Sequence, residues 1–185
     1  MVGKSASGKT TVANILESNG YKQVQSYTTR LKRHENEIGH IFISDEEFNR
    51  LQNIIAYTEY NGFRYCATKE QIDTADIYVI DVPGVETLLE KYNSARKIII
   101  IYFDTSVKTR IDRMINRHDS DTSIVSRLYN DEASDWEQDL NKLFWHYKNN
   151  EGKNVELYTI DANNYLENVL IQVCNLINNE TEDEL

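Results

Sequence analysis

Near the start of the chain, Gly3-Lys4-Ser5-Ala6-Ser7-Gly8-Lys9-Thr10 fits G-x-x-x-x-G-K-[ST], a spacing suited to holding phosphate. Small side chains let successive backbone N–H groups approach phosphate oxygens at a helix N-terminus, where the helix dipole also favours anions. In such a loop Lys9 bridges the β- and γ-phosphates, and the Thr10 hydroxyl is a hard oxygen ligand for Mg²⁺. The candidate phosphate-binding set is therefore Gly3, Ser5, Ala6, Ser7, Gly8, Lys9, Thr10 and Thr11, with Thr10 as the candidate metal ligand. A flexible glycine turn ahead of a helix is the alternative, and it leaves unexplained why helical periodicity starts where the motif demands. A loop of this kind normally follows a buried strand, yet only Met1 and Val2 precede Gly3, so the sequence reads as a shortened chain.

A second cluster, Ser26-Tyr27-Thr28-Thr29-Arg30-Leu31-Lys32-Arg33, puts two arginines and several hydroxyls on one loop. Guanidinium forks match phosphate geometry better than lysine does, so a second anion site beside the first suggests a phosphate acceptor. A solvated surface loop is the alternative on charge alone. A third basic group, Arg113, Arg117 and Arg127, flanks the polar stretch Asn116–Ser123. On charge alone, these arginines pair on helix surfaces with Asp112, Asp119 or Asp131. Asp81 has two readings from its position alone: an acidic Mg²⁺ partner at a strand end, or a helix cap before Pro83-Gly84.

The elements that must position these groups follow from apolar periodicity. Thr10–Ser18 reads as a helix stopped by Asn19-Gly20, and Tyr21–Tyr27 as a strand. Asp45–Leu51 reads as a short helix with Ser44 as N-cap and Glu47 at the capping-box position. Ile54–Tyr60 and Phe63–Ala67, joined by Asn61-Gly62, have the signature of a two-residue hairpin. Ile77–Val82 and Lys97–Phe103 are apolar runs expected of parallel strands, with Gly84–Tyr92 as a helical crossover. Ser106–Ile115 reads as a helix, and Trp136, Leu140, Leu143, Phe144 and Tyr147 mark a long one, an aromatic stripe expected to be core packing. Val155–Ile160 predicts a strand, Leu166–Ile177 an amphipathic helix, and Asn178–Leu185 a frayed acidic tail. Alternating strands and helices of this kind imply an α/β fold.

Composition sets limits on function. The 185 residues carry 20 Lys+Arg against 30 Asp+Glu, a net charge of −10 that opposes non-specific binding to DNA or anionic membranes. A polyphosphate ligand would need a local basic pocket. No apolar run approaches the roughly 20 residues that span a bilayer, and no signal-peptide core is seen, so the expected location is cytoplasmic. Cys66 and Cys174 read as free thiols, and His34, His40, His118 and His146 have no ligand-like spacing with them.

At this point the sequence resembles the guanylate kinase family. The resemblance covers most of the chain and rests on motifs in order: the P-loop Gly3–Thr10, the loop Ser26–Arg33 followed by Glu37-Ile38-Gly39, Phe42-Ile43-Ser44, Glu59-Tyr60-Asn61-Gly62 to Tyr65, Ile80-Asp81-Val82-Pro83-Gly84, and Arg113–Arg127. It implies a P-loop NTPase-type parallel sheet core flanked by helices (1–29 and 76–185). A small mixed α/β nucleotide-monophosphate-binding subdomain (30–75) and a short lid (116–127) complete it. The implied reaction moves the γ-phosphate of ATP to GMP or dGMP with Mg²⁺, in a monomer or homodimer whose partners are small-molecule nucleotides. By the resemblance, Arg30, Arg33 and Tyr65 hold the acceptor phosphate, Ser26 and Asp81 contact the base, and Arg117 and Arg127 act with Lys9 on the transferring group. Some domains of this type have become non-catalytic interaction modules, usually losing the P-loop lysine and lid arginines, both of which persist here.

The chain also departs from the family pattern. Ala56 stands where a base-reading glutamate is usual, and Glu59, three residues on, falls on the other strand face. Tyr65-Cys66-Ala67-Thr68 loses a small hydroxyl, and His40 falls near an expected phosphate-binding tyrosine. Loss of a buried polar group that reads a base relaxes selectivity, so an acceptor other than a guanine nucleotide is the companion expectation.

Overall fold

The computed structural model describes residues 1–32, 35–133 and 135–182; at 150 and 179–182 only the backbone is described. The chain forms two compact units, one combining 1–12 with 96–185 and the other comprising 13–95. Helix α1 (Lys9–Ser18) starts directly after the glycine-rich loop, and Gly20, at φ +100°, supplies the left-handed residue that ends it.

In the 13–95 unit a four-stranded mixed sheet has the order β2-β1-β4-β3, from β1 (Ser26–Thr28), β2 (His40–Phe42), β3 (Ile54–Tyr60) and β4 (Phe63–Thr68). Strands β1 and β2 run parallel, and β4 pairs antiparallel with both β1 and β3. The hairpin turn is the one its dipeptide demands: Asn61 and Gly62 both have positive φ, 52° and 76°. Helix α2 (Asp45–Phe48) starts on the expected capping box, in which Glu47 N–H donates to Ser44 Oγ at 3.2 Å and Ser44 N–H donates to Glu47 Oε2 at 2.8 Å. It ends at Asn49, shorter than the pattern suggests. Helix α3 (Lys69–Thr74) follows β4, and α4 (Val82–Lys91) packs on β3, burying Val85, Leu88 and Leu89.

The apolar run 77–82 is not a strand. Ile77 makes one parallel bridge to Gln23, residues 78–81 are outside any strand, and Val82 already belongs to α4. An Asp with extended φ/ψ followed by proline is a strong helix start, and that local signal overrides the apolar run.

In the other unit β5 (Ile98–Asp104) and β6 (Val155–Asp161) pair in parallel from Ile98↔Val155 to Asp104↔Asp161. Val2 extends this sheet: its N–H donates to Ile101 O and its carbonyl accepts from Phe103 N–H, both at 2.8 Å. Its side chain is 1% exposed, so this short segment does pair and bury. The parallel sheet is nevertheless smaller than the resemblance implies. Helices α5 (Val107–Asn116) and α6 (Asp121–Asp131) pack on each other, while α7 (Trp136–Trp145) and α8 (Leu166–Glu182) pack on β6. The expected long helix is two, because Ser120 caps α6 and Asp135 caps α7. A π-helical turn, His146–Asn150, follows α7. Helix α8 runs on to Glu182, through much of the segment expected to fray, and 183–185 lie outside the described residues. No described helix is long and apolar enough to cross a membrane.

Candidate functional site

The glycine-rich loop joins Val2, paired in the sheet, to the start of α1. A Cβ at Gly3 would come within 2.9 Å of Ser7 Oγ and 3.0 Å of Phe103 O, so only glycine lets the loop leave the sheet this tightly. Gly8 has φ +101°, and Ala6 has φ +62°, a left-handed conformation that costs a non-glycine residue about 1 kcal/mol. The Lys9 ammonium folds over the loop, donating to Gly3 O at 2.6 Å, Lys4 O at 3.0 Å and Ser7 Oγ at 3.1 Å. Thr10 and Thr11, in the first turn of α1, are exposed. The loop lines a cavity of about 520 Å³ that continues past Arg113 and Arg117 to Asn164, Leu166 and Val169. One end of this cavity thus offers helix-start N–H groups and a cation, and the other an amide and two aliphatic side chains.

Two sets of contacts hold the loop. Arg113, on α5, donates to Ser7 O at 3.1 Å and Ala6 O at 3.3 Å through one terminal nitrogen, and to Ala162 O at 2.7 Å through the other. Desolvation lowers its pKa from the ordinary arginine value. On the other side, Asp131 at the end of α6 accepts from Ser5 N–H at 2.7 Å and from Ser5 Oγ at 3.3 Å. Asp131 is ion-paired at 2.9 Å with Arg110, both side chains being 1% exposed. Arg110 also donates to Glu132, which pairs with Lys4 at 3.0 Å. Burial pushes the Glu132 carboxyl up, but the hydrogen bonds and charges of Lys4 and Arg110 outweigh that and hold it below the ordinary value.

Arg117 and Arg127 share one carboxylate. Arg117, just past α5, donates to both Asp119 oxygens at 2.9 and 2.6 Å, while Arg127 Nε lies 3.8 Å from Asp119 Oδ2 and donates to Ser123 Oγ at 3.1 Å. Of the carboxylates weighed as partners from the sequence, Asp119 is the one both use.

In the 13–95 unit, the strand register places Ser26, Thr28, His40, Thr58 and Tyr65 on one face of the sheet. Ser26 Oγ lies 2.9 Å from His40 Nδ1, and the His40 and Tyr65 rings meet edge-on at 5.7 Å. Arg30 is 8% exposed; its fork meets Glu37 at 3.1 and 2.8 Å, it donates to Leu31 O at 2.8 Å, and its cation lies 5.2 Å from the Phe42 ring centre. Arg30 Nε has no hydrogen-bond acceptor among the described residues. Arg33 lies outside the described residues, as does His34. Asp81 caps α4, accepting from Gly84 N–H at 2.9 Å, and its second oxygen accepts from Thr58 at 2.8 Å.

Ala56 and Ala67 face each other across β3 and β4, both fully buried. Glu59 is exposed and accepts from the Tyr57 hydroxyl on the opposite strand face, as the three-residue offset requires. Cys66 is buried, and desolvation pushes its thiol up to about 12. Among the described residues no group of three or more His, Cys, Asp or Glu is placed to hold a metal ion.

Arg110 and Asp131 were not singled out as site residues by the sequence pattern, although a signal exists for each. Arg110 interrupts the apolar stripe of α5, and Asp131-Glu132 puts two acids at a helix C-terminus, where the dipole disfavours them.

No family model matches the sequence, and no curated protein matches it either. Among solved structures, the chain is similar to guanylate kinase from Anaplasma phagocytophilum, with a TM-score of 0.55 and 19% identity over 97% of this chain and 84% of that one. The chain therefore has a guanylate-kinase-like α/β fold.

Proposed function

We propose that this chain is a nucleoside monophosphate kinase that transfers the γ-phosphate of ATP to GMP or dGMP. The observation that carries the reading is the glycine-rich loop Gly3–Thr10 at the start of α1, opening into a cavity of about 520 Å³. Phosphate oxygens take the place of the loop carbonyls as partners of Lys9, and the first N–H groups of α1 have no acceptor within the helix. The aliphatic and amide lining from Asn164, Leu166 and Val169 suits a nucleobase.

Mg²⁺ takes hard oxygen ligands and binds in large part through substrate phosphates, and the exposed Thr10 hydroxyl in the first turn of α1 is a ligand of that kind. When bound it neutralises charge on the phosphates. Arg117 and Arg127, on the lid segment 116–127, leave Asp119 to meet charge on the moving phosphoryl group. In the acceptor subdomain 30–75, Arg30, Arg33 and Tyr65 hold the acceptor phosphate, and Arg30 Nε is a buried donor with no acceptor among the described residues. Ser26 and Asp81 contact the base. Phosphoryl transfer asks mainly for positioning and charge neutralisation, which is what these groups offer.

The buried Ala56–Ala67 pair favours a second reading, a kinase of another small phosphorylated acceptor, since no polar group stands there to read guanine. Coupled ADP release with MgATP and each of GMP, dGMP, AMP, CMP and UMP tests both. Turnover with GMP or dGMP is expected; turnover with another monophosphate alone moves the assignment to the second reading. A lack of turnover with any of them overturns the kinase assignment. Thermal stabilisation by MgATP separates a silent binding module from a protein that binds no nucleotide, because ligand at 100 times its Kd adds about 2.7 kcal/mol.

A further inference from the structure

We propose that Asp131, neutralised by Arg110, is a positioning residue that holds the phosphate-binding loop in its ligand-ready shape. The inference rests on the donor-site reading above and extends it to residues outside the motif. Asp131 sits 126 positions from Ser5 in sequence, yet takes the Ser5 N–H at 2.7 Å and its hydroxyl at 3.3 Å. That contact occupies the Ser5 N–H, so the N–H groups left for phosphate are those at the start of α1, which have no acceptor within the helix.

Two costs accompany this arrangement. An acid at a helix C-terminus opposes the dipole, and a fully buried ion pair is often no more stabilising than apolar side chains of equal volume. Arg110 adds a third, because its buried Nε finds no acceptor among the described residues. A stabilising role would be met more cheaply by leucine and methionine, whereas an acceptor for Ser5 N–H requires an oxygen at this point. An unneutralised carboxylate beside a polyphosphate site would repel the ligand. Arg110 and Lys4 against Asp131 and Glu132 sum to zero, so the brace adds no net charge. Arg127 lies one turn earlier on the same helix, so the brace also fixes where along the loop that arginine is carried.

Two double variants isolate the contact. Arg110→Met/Asp131→Leu removes the ion pair and the Ser5 acceptor; Arg110→Met/Asp131→Asn removes the same pair but keeps an amide oxygen for Ser5 N–H. Amide hydrogen exchange is read at Ser5 and Gly8 in the free proteins, and MgATP binding by titration calorimetry. In the wild type, Ser5 should exchange at least tenfold more slowly than Gly8. The leucine variant should exchange Ser5 at least tenfold faster than the asparagine variant and bind MgATP about tenfold more weakly. Equal exchange at Ser5 and Gly8 in the wild type overturns the proposal even if the leucine variant fails to fold, and so does equal behaviour of the two variants. Absence of MgATP binding by the wild type overturns the kinase reading instead, while Ser5 exchange still decides whether Asp131 holds the loop.

Discussion

Asp81 allows structural and functional roles to be separated by one oxygen. Its Oδ1 caps α4 through Gly84 N–H and its Oδ2 accepts the Thr58 hydroxyl. Asp81→Ala removes the cap, worth about 1 kcal/mol, and a charge-assisted hydrogen bond worth about 1.5 kcal/mol. The sum, about 2.5 kcal/mol, lowers the unfolding midpoint of a unit this size by roughly 10 °C. Asp81→Asn is different: asparagine caps as well as aspartate and its amide oxygen still serves one partner, so the midpoint should fall by no more than about 4 °C. If Asp81 contacts the acceptor base, the asparagine variant nonetheless raises the acceptor KM at least tenfold and leaves the ATP KM within twofold. Thermal unfolding and steady-state kinetics on the three proteins read both effects. An unchanged acceptor KM in Asp81→Asn leaves Asp81 a cap and nothing more; an equal loss of stability in both variants refutes the capping argument.

The shared carboxylate of Arg117 and Arg127 makes a weaker but directional prediction. Asp119→Asn frees both arginines, and since exposed ion pairs are worth about 0.2–1 kcal/mol, the ATP KM should fall about 1.4- to fivefold; a KM that stays put or rises contradicts the exchange of Asp119 for phosphate. For Cys66, a thiol raised from 9.0 to about 12 is thiolate at pH 8 to only ~10⁻⁴, against ~0.1 for an ordinary one, so a thiol reagent should label Cys66 about a thousandfold more slowly than an unperturbed thiol until the chain unfolds. Because the fold prefers the neutral form, this group's contribution to stability is full below pH 9 and shrinks as pH rises toward 12. Labelling of the native protein at a rate within tenfold of the unfolded chain would refute the burial argument.

What short stretches of sequence encode, they encode legibly. The helix start after Gly8, the Ser44 capping box and the Asn61-Gly62 turn each depend on residues within a few positions of one another, and each has the expected backbone. Where two local signals competed, the apolar run 77–82 against the Asp81-Val82-Pro83 helix start, the cap prevailed and removed an expected strand. Similarly, Asp135 divided what helical periodicity alone presents as one helix.

The candidate site was legible as a set of residue types and not as a set of partners. Arg30 and Arg113 look alike in sequence as cations near a phosphate loop. The fold commits one to Glu37 and the other to the carbonyls of Ala6, Ser7 and Ala162. The sequence by itself determined that a glycine-rich turn leads into α1, because glycine freedom and helix-start preference are properties of adjacent residues. Only the tertiary structure decided what holds that turn, because Asp131, paired with Arg110, meets Ser5 across more than a hundred residues, and no pattern of spacing announces which buried charge will find which backbone donor.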